Sequence, residues 1–301
     1  MKTKLSFTVT STILLLLSAC GMTVVSGSGR IVEETRDVHS YSQVVFSAPG
    51  ELTIDQNGHE GLAIEADDNL LGYIKTSVQG NVLYIEVKPD IIQLLPSRPI
   101  RYSLDADSLT RVSLNGSGDI HADKLIASDL DFNLNGSGRV LIEDAKSEST
   151  RLDLNGSGEY EFGRLITGKF TVSLNGSGDI AMDKALVKKA DVMMDGSGSL
   201  KATDLIAEAL DMRINGSGGS SLKGEVNHQS VTIYGSGNYD ASDLQSHITS
   251  VKMFGSGDSN VWVTDELSIT IAGSGDISYR GQPVITTAIT GSGDLINLAR
   301  Q

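Results

Sequence analysis

The sequence predicts an all-β protein, a parallel β-helix (solenoid) with coils of about 20 residues and a divergent N-terminal capping region. Two observations predict this fold. From residue 116 onward the tripeptide Gly-Ser-Gly recurs at near-constant spacing, and apolar and polar residues alternate on both sides of it. Alternation with a period of two is typical of a strand that buries one face. A fixed period of this length indicates stacked structural repeats.

The repeat period varies by only two residues along the series. The first glycine of each tripeptide stands at position 116, 136, 156, 176, 196, 216, 235, 255, 273 and 291. Residues two and four before these glycines are apolar except Thr287, and residues four and six after them are mostly apolar. A flexible linker has no reason to keep such a period. One repeat suits one turn of a hollow coil that pairs with the next coil about 4.8 Å away, whereas a propeller blade needs about twice the period.

Each Gly-Ser-Gly is predicted to form a corner of the coil. Glycine supplies positive φ and close backbone approach at little steric cost, and a preceding Asn or Asp suits the same bend. The residues before the first six motifs form a column whose side chains are expected to hydrogen-bond from coil to coil: Asn115, Asn135, Asn155, Asn175, Asp195 and Asn215. A phosphate-binding loop would require a helix after the glycines, and the pattern predicts none.

Residues 1–19 are predicted to be a lipoprotein signal peptide. They combine a basic start, a short apolar segment and the sequence Leu17-Ser18-Ala19-Cys20, which resembles the bacterial lipobox. The lipobox implies cleavage before Cys20 and attachment of lipid to Cys20; the alternative is a general secretory signal with a cysteine nearby by chance. Because Cys20 is the only cysteine, no internal disulfide can form. We expect residues 20–29 to be the lipidated cysteine and a tether, residues 30–110 divergent N-terminal coils, and residues 111–301 the regular repeat.

The acidic composition limits the classes of partner. The formal net charge is −14, and loss of the two lysines in the signal peptide makes the mature chain more acidic still. A chain this acidic is therefore expected not to bind nucleic acid or an anionic membrane through its bulk charge. The five histidines have neither a repeat nor metal-ligand spacing, so we expect no metal centre and no cofactor. Asp258, Asp276 and Asp294 follow the last three motifs in one column; they predict either a weak Ca²⁺ site or, as the favoured alternative, solvated acids.

The N-terminal third carries a weaker form of the same pattern. Val44, Phe46, Leu52 and Ile54 surround an Ala-Pro-Gly in the register that the later coils keep around Gly-Ser-Gly, which predicts a divergent first coil that acts as a cap. Residues 62–66, 81–88 and 99–104 are predicted strands, and residues 67–74 a short helix.

Four segments of the chain resemble the head GIN domain family of auto-transporter adhesins. They are RIVEETRDV at 30–38, LAIEADDNLL at 62–71, VLYI at 82–85 and VSLNGSGDI at 112–120. The resemblance extends from about residue 30 to the end. It implies a right-handed β-helix, found on secreted or lipid-anchored bacterial proteins, and it supplies no catalytic residues. We expect the lipid on Cys20 to be the anchor, and Gly21 after it favours sorting to the outer membrane.

One irregularity of the repeat suggests a binding surface. Where the Asn column ends, Tyr234 and Phe254 take its place on adjacent coils. Outward-pointing rings would form a surface for a glycan or a protein; the alternative, which the shortened period favours, is that the corner turns both rings inward.

The sequence thus predicts a non-catalytic, lipid-anchored, adhesin-like binding module of the bacterial cell envelope. The other hypotheses are a structural protein that self-associates end to end where Asn297 interrupts the last coil, and, least favoured, a glycan-cleaving enzyme that uses the three aspartates.

Overall fold

The computed structural model describes residues 23–298, which form a β-solenoid of about nine turns. The predicted fold class is therefore confirmed. Cys20, Gly21 and the signal peptide lie outside the described residues. Within residues 23–298 no helix is long and apolar enough to cross a membrane.

The described chain contains 22 strands and one 3-10 turn at Leu71–Tyr73. The strands are β1 (Thr23–Ser26), β2 (Ile31–Arg36), β3 (Gln43–Ser47), β4 (Glu51–Asp55), β5 (Gly61–Asp67), β6 (Ile74–Gln79), β7 (Val82–Val87), β8 (Ile91–Leu95), β9 (Arg101–Asp105), β10 (Arg111–Gly116), β11 (Asp119–Ile126), β12 (Asp129–Gly136), β13 (Arg139–Gly156), β14 (Glu159–Gly176), β15 (Asp179–Gly196), β16 (Ser199–Ile214), β17 (Gly219–Ile233), β18 (Asn238–Met253), β19 (Ser259–Ile271), β20 (Ile277–Arg280), β21 (Val284–Ile289) and β22 (Leu295–Asn297).

The coils stack in parallel with the register that the sequence period predicts. Gly156 pairs with Gly176 at an offset of 20 residues, Ile214 with Ile233 at an offset of 19, and Ile271 with Ile289 at an offset of 18. Each long strand from β13 to β18 bends around the coil and supplies more than one of its sides. The backbone groups of one coil are thereby paired with those of the next.

The apolar columns fill the interior of the coils, as the alternation predicts. Leu134, Leu154 and Leu174 stand on successive coils and are fully buried. Phe132 and Phe162 meet edge to face inside the rod, with ring centroids 5.6 Å apart. Burying one such side chain stabilises the fold by roughly 1.5–3 kcal/mol. The rod is therefore held together by a continuous core instead of disulfides.

The last coil departs from this pattern. All six residues of β21 are exposed, including Thr287 and Ile289, for which the register predicted inward positions. The physical reason is that β21 pairs with β19, and no further strand of the described chain covers its other edge. Asn297 does not simply interrupt the inward column, because its side-chain amide donates a hydrogen bond to the hydroxyl of Tyr279 at 2.8 Å.

The N-terminal region forms both the first coil and a cap beyond it. Strands β3 and β4 pair in parallel with β10 and β11 in the predicted register, with Val44 opposite Val112. On their other side, β3 and β4 pair in parallel with β7 and β9, which form an additional layer. Antiparallel strands then close the stack: β6 lies on β7, β5 on β9, and β2 on β5. Such a cap covers the edge that a bare coil would expose.

The predicted short elements of this region are present with one change. The three predicted strands correspond to β5, β7 and β9, whereas the helix predicted over residues 67–74 is only the 3-10 turn Leu71–Tyr73.

The prediction of a tether over residues 20–29 is wrong from residue 23 onward. Strand β1 pairs in parallel with β8 and so belongs to the cap. The buried carboxylate of Asp67 also accepts hydrogen bonds from the backbone N–H of Gly29 at 2.7 Å and from the N–H and hydroxyl of Ser97 at 2.8 and 2.7 Å. These hydrogen bonds, that of the Ser97 hydroxyl above all, lower the pKa of Asp67. A buried carboxylate needs such partners, and they fix the segment that the sequence left free.

Candidate functional site

The Gly-Ser-Gly motifs are structural corners, as predicted. Gly136 has φ of +143°, and a Cβ there would overlap the carbonyl oxygen of Gly116 on the preceding coil. The N–H groups of Ser137 and Gly138 donate to that same oxygen at 2.9 and 3.2 Å. These donors pair with the preceding coil and do not form a cradle for a phosphate.

A ladder of side-chain amides runs along this corner. Asn135 donates to Asn115 at 3.0 Å, Asn155 to Asn135 at 3.0 Å, and Asn175 to Asn155 at 3.1 Å. Two coils later Asn215 donates to Asp195 at 2.7 Å. The predicted hydrogen bonds from coil to coil are thus present, and the ladder ends where Tyr234 replaces the next Asn.

Tyr234 and Phe254 form an exposed aromatic stack. Their side chains are 57% and 44% exposed, and their ring centroids lie 5.1 Å apart with an angle of 10° between the planes. The favoured expectation that the corner turns both rings inward is therefore wrong. The missing residue of the 19-residue coil is absorbed between the pairs Ala202–Leu222 and Leu205–Gly224, on another side of the coil. The corner itself keeps its register and its outward direction.

One face of this stack is left open by the next coil. The position equivalent to Phe254 is occupied in the next coil by the exposed Ala272, and in the coil after that by the exposed Thr290. The N–H groups of Ala272 and Thr290 each donate a hydrogen bond of 2.8 Å to a backbone carbonyl of the preceding coil. Both residues therefore keep the same position in the repeat. On the opposite side Tyr234 is followed by Asn215. We use the name Ala272 slot for the space outside Ala272, which lies between the free face of Phe254 on the preceding coil and Thr290 on the following coil.

Two of the three stacked aspartate carboxylates, those of Asp258 and Asp276, accept a backbone hydrogen bond from the next coil. Asp276 donates its N–H to the carboxylate of Asp258 at 3.1 Å, and Asp294 donates its N–H to that of Asp276 at 2.8 Å. In the part of the chain that the structure describes, no group of three or more His, Cys, Asp or Glu side chains is arranged to hold a metal ion. The weak cation site stays a prediction, and the observed bonds give the carboxylates of Asp258 and Asp276 a structural role.

A second corner of the coils carries a groove that the sequence reasoning missed. It has a volume of about 520 Å³ and crosses several coils. Its lining includes Ile166, Leu186, Ile206, Lys188, Glu208 and His247. His247 lies 3.1 Å from Asp265, and hydrogen bonds from Thr264 and His247 lower the pKa of that carboxyl. The sequence feature that could have predicted this groove is the outward column of Ile166, Leu186 and Ile206, which recurs at the period of the repeat.

A buried polar network lies inside the same coils. The hydroxyl of Tyr239 donates to the Gln229 side-chain oxygen at 2.6 Å, and the Gln229 amide donates to Ser246 and Thr249 at 2.9 Å each. Burial raises the pKa of Tyr239 far above its ordinary value. The network is internally satisfied and closed to solvent, so it stabilises the rod and is not a site.

Comparison with known proteins identifies the family. The model of the family described as "Putative auto-transporter adhesin, head GIN domain" matches residues 40–204 and 171–283. This chain belongs to that family. No curated protein matches it.

Two solved structures support the fold of this GIN-domain protein. A "putative lipid binding protein" from Parabacteroides distasonis is 22% identical, with a TM-score of 0.51 over 92% of this chain and 100% of that one. A "putative adhesin" from Parabacteroides merdae is 19% identical, with a TM-score of 0.50 over 91% of this chain and 99% of that one. At these identities the likeness is one of fold. Family membership indicates an adhesin-like binding role at the cell surface or envelope.

Proposed function

We propose that this protein is a lipid-anchored, non-catalytic binding module of the bacterial cell envelope, held in the outer membrane through Cys20. The single observation that carries the binding role is the exposed stack of Tyr234 and Phe254 with a free aromatic face beside Ala272. Exposed aromatic rings on a rigid scaffold are typical of binding sites because they bury large areas at low entropic cost. The carboxylates of Asp258 and Asp276 accept hydrogen bonds from backbone N–H groups of the next coil, which supports a non-catalytic role.

The chemistry around the Ala272 slot favours a glycan as the ligand. Coils stack about 4.8 Å apart, and this spacing already brings Tyr234 and Phe254 into contact, so a ring in the slot would continue the stack. Two threonine hydroxyls lie on the same outward face. Thr270 stands two residues before Ala272, and Thr290 stands on the next coil. A pyranose has an apolar C–H face for the ring and hydroxyls for such a rim. A protein ligand would need a wider apolar patch than the slot offers.

Binding to a glycan array tests this proposal. Wild type is compared with Phe254→Ser, with Tyr234→Ser, and with Ala272→Phe, which fills the slot without removing the stack. We expect about tenfold or greater loss of affinity for Phe254→Ser and for Ala272→Phe, since a buried aromatic contact contributes about 1.4 kcal/mol or more. The matched control Ile206→Ser removes an exposed aliphatic residue in the other groove and should bind as wild type does. Absence of glycan binding in any format would overturn the proposal, and binding only to a protein would reassign the ligand.

The lipid anchor has its own test. Metabolic labelling with palmitate should mark the wild-type protein, and Cys20→Ala should remain unlabelled. In a bacterium with two membranes, fractionation should find the protein in the outer membrane, and Gly21→Asp should retain it in the inner one. An unlabelled wild type would contradict the anchor without affecting the glycan site.

A second candidate function is self-association, and β21 is the observation that favours it. This strand pairs with β19 on one edge, and all its side chains are exposed, including Val284 and Ile285. An uncovered strand edge can pair with a second copy. Because antiparallel strands close the other end of the rod, the pairing would join two like ends and give a dimer, not a filament. Sedimentation velocity should detect a dimer that Ile285→Lys abolishes, and a strict monomer at high concentration would exclude it.

A further inference from the structure

The two-stranded sheet of β1 and β8 carries an exposed aliphatic face at the start of the described chain. Val24, Ile92 and Leu95 are 52%, 54% and 45% exposed, whereas Ile91 and Leu94 of the same sheet are buried against the core. Three large aliphatic side chains in two short strands make an apolar surface that water solvates poorly. We infer that this surface rests on the bilayer that holds the lipid of Cys20. The inference rests on the proposed lipid anchor.

The length of chain between the lipid and the sheet supports this occupant. Three peptide units separate Cys20 from Thr23, so the two Cα atoms are at most about 11 Å apart. Strand β1 is fixed to the cap by its pairing with β8, and the segment after it by the hydrogen bond from the Gly29 N–H to Asp67. A lipid on Cys20 therefore brings the bilayer surface to within about 11 Å of the β1–β8 sheet. The apolar face then lies at the boundary between headgroups and acyl chains, where aliphatic side chains are stabilised.

The charges beside the sheet suit a phospholipid surface. Lys88 stands just before β8 and Arg98 just after it, and both are exposed; one acid, Asp90, lies between Lys88 and the strand. Basic side chains at the rim of an apolar face bind lipid phosphates. The chain as a whole carries −14 charges and is repelled by anionic lipid. The membrane contact is therefore confined to this end of the rod.

This contact explains how the rod presents its glycan site. Strand β9 and the coil of Ala272 are separated by ten coil steps, or roughly 48 Å along the axis. With the cap seated on lipid, the Ala272 slot lies at the far end of the rod. The same docking keeps the exposed face of Val24 and Ile92 away from water.

Tryptophan quenching in vesicles tests the docking. The native Trp262 is replaced by Phe, and a single reporter is introduced as Ile92→Trp or, as the matched control at the other end of the rod, as Ile289→Trp. Both positions are exposed aliphatic residues in short strands. The mature lipidated proteins are reconstituted in phosphatidylethanolamine–phosphatidylglycerol vesicles that contain phospholipids brominated on the acyl chains. We expect about twofold or greater quenching at position 92, since an interfacial side chain sits about 5–10 Å into the bilayer, and little at position 289.

The outcomes separate the docking from the anchor. Mass spectrometry of the N-terminal peptide first establishes whether Cys20 carries the lipid. Lipidated protein with equal quenching at positions 92 and 289 would overturn the docking and leave the anchor intact. Absence of the lipid would overturn the anchor and the inference together. In a further variant, Val24→Ser with Leu95→Ser should reduce the quenching at position 92, since it removes the apolar face around the reporter.

Discussion

The side-chain amide of Asn155 donates to Asn135 on the preceding coil at 3.0 Å and accepts from Asn175 on the next coil at 3.1 Å. Each inner Asn of the ladder thus makes two bonds at the corner. Asn155→Ala removes both, and because the site is solvent-exposed we expect a loss of about 1–2 kcal/mol in the free energy of unfolding. Chemical denaturation followed by circular dichroism measures it.

A matched variant separates the two bonds of Asn155. In Asn155→Asp the carboxylate still accepts from Asn175 but cannot donate to Asn135, so its loss should be about half that of Asn155→Ala. If both variants unfold at the wild-type denaturant concentration, the ladder contributes nothing to stability.

The corner glycine Gly176 is expected to tolerate no side chain. Its φ is +136°, and a Cβ there would overlap the carbonyl oxygen of Gly156. Gly176→Ala combines backbone strain with displacement of the adjoining coil, so we expect destabilisation by about 2–4 kcal/mol. Gly80→Ala is the control, because Gly80 also has positive φ, +63°, but no atom within 4 Å of a Cβ. Its cost should be about 1 kcal/mol, and equal costs would show that coil spacing is not what excludes the side chain.

The repeat could be predicted from sequence because its pattern depends on residues that are close together in the chain. The alternation around each Gly-Ser-Gly fixes which side chains face inward, and a constant period then fixes the pairing of coils, as for Leu134, Leu154 and Leu174. The direction of Tyr234 could not be predicted, since it depends on where the shortened coil loses its residue. That place is the bend near Gly224, which the motif spacing does not reveal.

The sequence predicted a capping region but not the order of its strands, for a different reason. Strand β7 follows β3 in the chain but lies on the far side of it, while β10 lies on the near side. Pairings across long loops leave no local pattern, so the sequence indicated strands here without their order. The role of Asp67 depends on the same long-range contacts with Gly29 and Ser97.

The buried network around Gln229 predicts a large effect from a single oxygen. Tyr239→Phe removes the hydroxyl that donates to the Gln229 side-chain oxygen at 2.6 Å and leaves that oxygen buried without its donor. We expect a loss of about 1–3 kcal/mol in the free energy of unfolding. Tyr160→Phe is the control, because Tyr160 is equally buried but makes only a longer bond, 3.3 Å, to the carbonyl of Asp153. A cost as large for Tyr160→Phe would mean that hydroxyl packing, and not the unpaired Gln229, dominates.

The hydrogen bonds that Asp67 accepts from Gly29 and Ser97 predict that β1 loses its protection from hydrogen exchange in acid. The Ser97 hydroxyl, followed by the Ser97 and Gly29 N–H groups, holds the pKa of Asp67 below its ordinary value, so the carboxylate is favoured in the folded state. For a lowered pKa, the stabilisation is complete above the unfolded value of about 3.9 and is lost as the pH falls through the folded value. Hydrogen exchange in β1 and residues 27–29 should therefore be slow at neutral pH and accelerate only below about pH 4. Asp67→Asn should show fast exchange at every pH, whereas Asp37→Asn, which alters an exposed pair with His39 away from this segment, should leave the profile unchanged. Wild-type β1 that remains protected below the folded pKa would contradict this role, because the protonated acid can no longer accept all three bonds.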